Sequence, residues 1–209
     1  MNQAQQLRDG IQALGLDIDE AKQAKLLDYA ALLQKWNKTY NLTALRDPAQ
    51  TVSHHLLDSL TLLPYIEHAQ TMLDVGSGGG QPGIPTAICC PDLDITLLDA
   101  NTKKTTFLRQ AVIELGLNNV TVASGRVEEM HDKKVDVVTS RAFAELKDFI
   151  SLTAHLLNGQ GYWAAMKGVY PYEELEQVPE NVEIVKVDKL SVPMLEAERH
   201  MVIMKPKAV

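Results

Sequence analysis

Residues 71–85 read "TMLDVGSGGGQPGIP", five glycines in eight positions directly after a short apolar run. A strand that ends in such a loop lets a ligand come close to the backbone. From this point onward short strand-like runs alternate with helical patterns. The strand candidates are 71–75, 94–98, 120–123, 135–139 and 161–166. The clearest helix is 102–115, where Leu108, Ala111, Val112 and Leu115 recur at helical spacing before Gly116. This alternation predicts a doubly wound α/β fold with a mostly parallel sheet. Residues 182–190 and 199–205 leave no room for a helix between them and predict an antiparallel hairpin at the sheet edge.

Upstream of the loop the pattern is helical. Leu7, Ile11 and Leu14 share one face ahead of Gly15, and Asp19 is placed to cap a second helix carrying Leu26, Ala30, Leu33 and Trp36. A third stretch carries Val52, Leu56, Leu60 and Leu63 before Pro64. The expected organisation is an N-terminal helical segment, 1–66, packed on a core of 67–209 within one compact domain. Trp36, Asn37, Tyr40, Asn41 and Thr43 read as a polar-aromatic connection between helices, either an asparagine-capped turn or a flap over a ligand.

Composition narrows the function classes. The 209 residues are 45% apolar and 22% charged, ordinary values for a globular protein. No apolar run approaches the roughly 20 residues of a membrane span, and "MNQAQQLRDG" resembles no secretory signal, so a cytoplasmic protein away from membranes is expected. A net charge of −7 argues against indiscriminate nucleic-acid binding but leaves room for one local basic patch. Cys89 and Cys90 are adjacent, lack further ligands at metal spacing, and read as small buried residues in a helix. His54 and His55 would point apart on a helix, and no metal is expected.

Gly78, Gly80 and Gly83 satisfy G-x-G-x-x-G, but without G-K-[ST] the loop is not a P-loop. Asp74 argues against a pyrophosphate. A carboxylate at the end of the first strand repels phosphate and suits an ammonium or sulfonium group, both of which S-adenosylmethionine carries. The ribose of that donor needs an acidic partner at the end of the second strand, and Asp99 in "ITLLDA" stands there. The loop is therefore expected to hold a methyl donor, within a class I S-adenosylmethionine-dependent, Rossmann-like fold.

These residues and several other stretches resemble the ribosomal RNA small subunit methyltransferase G family, also called glucose-inhibited division protein B. The resemblance runs over nearly the whole chain through "KWNKTYNLTALRDP" (35–48), "HHLLDSL" (54–60), "LDVGSGGGQPGIP" (73–85), "LLDANTKKTTFLRQ" (97–110), "GRVEE" (125–129), "SRAFAEL" (140–146), "MKG" (166–168) and "ERHMVIMK" (198–205). It implies methyl transfer from S-adenosylmethionine to N7 of a guanine in the 530 loop of 16S ribosomal RNA, either naked or within the small subunit or an assembly intermediate. It also implies donor contacts at Gly76, Gln81, Val127, Glu128 and Arg141, joined by Asp74, Gly78 and Asp99 from the loop and the general fold. Two positions depart from the family pattern: Gln81 replaces a large apolar residue, and Ala100 replaces a serine.

Missing residues bear on the acceptor independently. "SRAFAEL" lacks the proline pair common in exocyclic-amine methylation, no cysteine stands where a C5 nucleophile is needed, and no His–carboxylate pair stands at a strand end to act as base. An acceptor with its own lone pair, such as guanine N7, needs none of these. Arg141 is the residue expected to orient the donor carboxylate or the guanine, unless it is a surface arginine paired with Glu128 or Glu145. Phe143 offers either a stacking face or core packing. Lys167, Arg199 and His200 are the candidate RNA contacts. The competing readings are a small-molecule methyltransferase, which a closed apolar lid would favour, and a nucleotide-binding module using the loop for NAD.

Overall fold

In the computed structural model, which describes residues 1–209, capping sets the first boundaries. Helix α1 (Gln3–Ala13) starts where Asn2 accepts the Gln5 amide at 2.8 Å. Helix α2 (Glu20–Tyr40) starts where Asp19 accepts the Lys22 amide at 2.8 Å, and ends at Asn41 in the left-handed region. Helix α3 opens with a π-helical stretch, Val52–Leu57, and continues as an α-helical turn, Asp58–Leu60. The polar-aromatic segment is not a connection between helices throughout. Trp36, Asn37 and Tyr40 form the last turns of α2, and the Asn37 side chain accepts the Thr43 amide and donates to the Leu45 carbonyl. The asparagine-capped turn follows directly, with Asn41 ending α2 and Asn37 holding the segment beyond it.

The remaining elements follow in the order β1 (Thr71–Val75), α4 (Gly83–Cys89), β2 (Asp94–Asp99), α5 (Thr102–Leu115) and β3 (Val120–Ser124). Then come β4 (Val135–Ser140), α6 (Leu146–Thr153), β5 (Leu157–Lys167), α7 (Tyr172–Glu176), β6 (Val182–Leu190) and β7 (Arg199–Pro206). Strand β5 begins earlier than its apolar pattern suggests. Gly159 and Gly161 mask the run, and the pairing with β4 shifts register between Val135 and Val137. Cys89 and Cys90 end α4 half-buried and free.

The seven strands lie in the order β3-β2-β1-β4-β5-β7-β6. Strands β1 to β5 pair in parallel, and β7 inserts antiparallel between β5 and the edge strand β6. Period-two alternation splits each strand between two cores. Met72, Leu97, Val137 and Ile203 join the larger one with the N-terminal helices, α4 and α5. Leu73, Val138, Trp163 and Val202 join the smaller one beneath α6. Residues of α1, α2 and α3 are therefore part of the larger core, with Leu7, Leu26, Tyr29 and Leu57 fully buried. The chain order reverses between β1 and β4. A crevice is expected outside the strand ends at such a reversal.

Candidate active site

The parity of β1 decides what its last residues do. Leu73 and Val75 face the smaller core, so Asp74 faces the other way, towards α4. Its side chain is fully buried, and Oδ2 accepts the Gly83 amide at 3.0 Å. The approach is too close for any side chain at position 83: a Cβ would sit 2.7 Å from Asp74 Oδ2 and 2.1 Å from Leu97. Asp74 Oδ1 has no hydrogen-bond partner at all. Burial raises the carboxyl from an ordinary 3.8 to about 8, against the lowering effect of the Gly83 bond. Asp74 therefore lies beneath the glycine loop, not in the open crevice where the sequence pattern alone would put it.

Above the strand ends lies a cleft of about 390 Å³ lined by Gly76, Asp99, Gly125, Val127, Glu128 and Phe143, among others. Gly76 has φ 67°, and a Cβ there would meet the Phe143 ring at 3.2 Å, so the backbone and the aromatic face close one wall. Phe143 also stands edge-on to Phe149 at the rim of the smaller core. Each Asp99 oxygen accepts one backbone amide: Oδ2 from Gly78 at 2.9 Å and Oδ1 from Asn101 at 2.8 Å. A carboxylate oxygen has two lone pairs, so both remain able to accept from a ligand hydroxyl. Asn101, not Asp99, caps α5. Glu128 is exposed and lies 3.8 Å from Arg126.

Gln81 points elsewhere. It is buried, and its amide donates to the Tyr29 hydroxyl, which donates in turn to the Gly79 carbonyl at 2.6 Å. The residue expected to touch the donor instead ties the glycine loop to α2. These bonds explain how a polar side chain is accommodated at this buried position.

A second cavity of about 320 Å³ adjoins the first. Arg141 and Ala142 line this one while Phe143 and Ala144 line the first, so the loop after β4 forms a wall common to both. Arg141 pairs with neither Glu128 nor Glu145. It donates to the His54 carbonyl at 3.0 Å and to Asp58 Oδ2 at 3.2 Å. Arg199 reaches the other oxygen of the same carboxylate at 3.2 Å. Lys167 pairs with Glu174 at 2.8 Å and donates to the Ala144 carbonyl. His200 is buried and bonded to the Gly168 carbonyl at 2.7 Å. Of the candidate RNA contacts, Lys167 and Arg199 line a cavity as partnered cations, and His200 is buried.

The same cavity contains His55 and Thr43, whose Nε2 and hydroxyl lie 3.3 Å apart. Burial, helped by the Arg141 charge, lowers the imidazole to about 3, so it is neutral at physiological pH. Asp58 and Tyr29 were not singled out from the sequence, and His55 was weighed only as half of a histidine pair too divergent to bind metal. Asp58 had a readable signal: a lone carboxylate within the apolar run "LLDSL", which a buried helix face tolerates only when it is paired. Tyr29 had none.

A family model described as rRNA small subunit methyltransferase G matches residues 22–202. Ribosomal RNA small subunit methyltransferase G of Neisseria meningitidis serogroup C (strain 053442) is 66% identical over 207 residues, 99% of this chain and 100% of that protein. The Neisseria gonorrhoeae (strain NCCP11945) protein of the same name is 68% identical over 204 residues, 98% of this chain and 99% of its own. Among solved structures, the putative methyltransferase yhhF from Escherichia coli superposes with TM-score 0.57 at 16% identity, covering 73% of this chain and 87% of its own. The ribosomal protein L11 methylase from Lactobacillus delbrueckii subsp. bulgaricus gives 0.57 at 17% identity, covering 78% and 80%. At such identities these structures share the fold alone, that of class I methyltransferases.

Proposed function

The chain belongs to the rRNA small subunit methyltransferase G family, and from that premise we propose that it methylates N7 of a guanine in the 530 loop of 16S ribosomal RNA. It is an S-adenosylmethionine-dependent methyltransferase, and small-subunit ribosomal RNA is its substrate. The observation that carries the finer reading is the single loop Arg141 to Ala144, whose first two residues line a cavity with three cations and whose last two line a cleft rich in backbone and carboxylate groups. Reactants held against consecutive residues of one short loop are kept close and oriented, which is a large part of the work in a direct transfer.

The residues present fit the donor. Asp99 lines the cleft and retains lone pairs for ribose hydroxyls, whereas the orphaned Asp74 oxygen lies beneath the glycine loop and out of the cleft. S-adenosylmethionine supplies a methyl group activated by its sulfonium. Asp99 would hold the ribose, Gly76 and Gly78 would let the donor lie against backbone, and Val127 and Glu128 would flank the adenine. Gln81 serves this site through Tyr29 and the loop, not by contact. Asp99→Ala is expected to weaken donor binding by roughly 1.5–3 kcal/mol, the worth of charge-assisted hydrogen bonds, and to cost about 1 kcal/mol of stability for each backbone amide, Gly78 and Asn101, that loses its acceptor. Calorimetry measures both affinities; an unchanged value would remove Asp99 from the donor site.

The acceptor side favours RNA over a small apolar substrate. A closed apolar lid would suit the latter, whereas Arg141, Lys167 and Arg199 line the second cavity. No side chain there is set up as a base: burial lowers the His55 imidazole to about 3, which makes it a weak proton acceptor, and the Asp58 carboxylate is occupied by two guanidiniums. That arrangement suits an acceptor atom with its own lone pair. The test is incubation with radiolabelled donor and separated fractions of naked 16S RNA, small subunits and large subunits, followed by nuclease digestion. Label in 7-methylguanine from a small-subunit fraction is the expected result; label in any other nucleoside overturns the N7 reading.

A further inference from the structure

We propose that Asp58 is the positioning residue of the acceptor cavity, holding Arg141 and Arg199 as one fork for the RNA; this rests on the function proposed above. The residue comes from α3, the two arginines from the ends of β4 and β7, and the three elements meet at one carboxylate. Its side chain is 1% exposed, against 27% for each arginine, so the anion lies behind and the cations face the cavity. Each contact is a single one, at 3.2 Å, through Arg141 Nη1 and Arg199 Nε. A bidentate pair would use both prongs of a guanidinium. Here Arg141 keeps Nε and Nη2, and Arg199 keeps Nη2, without a protein acceptor. These donors are free to meet phosphate oxygens or a base edge.

The carboxylate also sets the charge. Two guanidiniums share one anion, so the triad attracts RNA without presenting two unbalanced cations to a guanine that becomes positive as it is methylated. A purely structural triad would tie the elements together and do nothing else. The two roles separate in Asp58→Asn, which keeps shape and one acceptor oxygen but removes the charge and leaves at most one arginine bonded.

The experiment measures methylation kinetics on small-subunit RNA, RNA affinity across salt concentrations, donor affinity and melting temperature for wild type and Asp58→Asn. The expected kcat loss is roughly 100-fold, as for a small misplacement of reacting groups. RNA binding at low salt should stay equal or become tighter, with a log–log salt slope steeper by about one unit from the added positive charge. Donor affinity should stay within about twofold, since both arginines line the acceptor cavity and not the donor cleft; a larger loss would place Arg141 on the donor and overturn the proposal. An unchanged kcat, or losses of RNA binding and melting temperature that parallel the loss of rate, would overturn the proposal. Should Asp58→Asn fail to fold, Asp58→Glu keeps the charge and displaces the fork; it should lower kcat with an unaltered salt slope, and wild-type kcat there would equally overturn it. A wild-type protein that methylates no RNA would instead remove the functional reading on which the proposal stands.

Discussion

Small-subunit RNA carrying 7-deazaguanine at the target position is expected to accept no methyl group from this protein, while the matching guanine substrate is methylated. The 7-deaza ring replaces the N7 lone pair by a C–H and leaves the rest of the base almost unchanged. With a lone-pair acceptor the protein contributes alignment, which can remove roughly 7–11 kcal/mol of barrier, and no proton is abstracted. The groups around the second cavity agree: His55 is held neutral with a pKa near 3, and Asp58 is committed to two arginines. A single-turnover rate measured with donor bound should therefore show no ascending limb between about pH 6 and 9. Methylation of the 7-deaza substrate, or a rate rising tenfold per pH unit over that range, would move the acceptor to another atom.

The second large effect is expected at Asp74. Burial raises its folded-state pKa from 3.8 to about 8, so between those values the folded protein holds a proton that the unfolded chain has released. Stability from this source is complete below about pH 4, falls as pH rises through the window, and levels off above about pH 8. A shift of that size corresponds to something on the order of 5 kcal/mol. Asp74→Asn keeps the Gly83 hydrogen bond without the titrating group. Urea unfolding of the donor-free protein should show the variant overtaking the wild type as pH rises from 5 to 9. Parallel pH profiles for the two proteins would mean that Asp74 is already ionised in the empty site.

Much of the fold is local information. Helix α5 and strands β1 and β6 begin and end where residue periodicity places them, because a β-branched run or a capped apolar stripe needs no distant partner to declare itself. The edge hairpin was legible for the same reason, from two strand patterns with too little chain between them for a helix. Within the site, the glycine loop and Asp99 could be read because a strand-to-loop turn fixes where those residues stand.

What the tertiary structure decided concerns direction and pairing. Position along β1 locates Asp74, but only the packing of α4 turns its carboxylate into the protein and leaves one oxygen without a partner. Position along the loop locates Gln81, but α2 must fold back 52 residues to supply Tyr29. Asp58 meets Arg141 and Arg199 across 83 and 141 residues of chain. Local patterns cannot contain such contacts, since they depend on the order of strands and on which side chains burial leaves without water. The sequence by itself determined that a glycine loop and the carboxylate of Asp99 stand at the ends of neighbouring strands. Which cations are paired, and with what, was settled only when folding brought one buried carboxylate between two arginines.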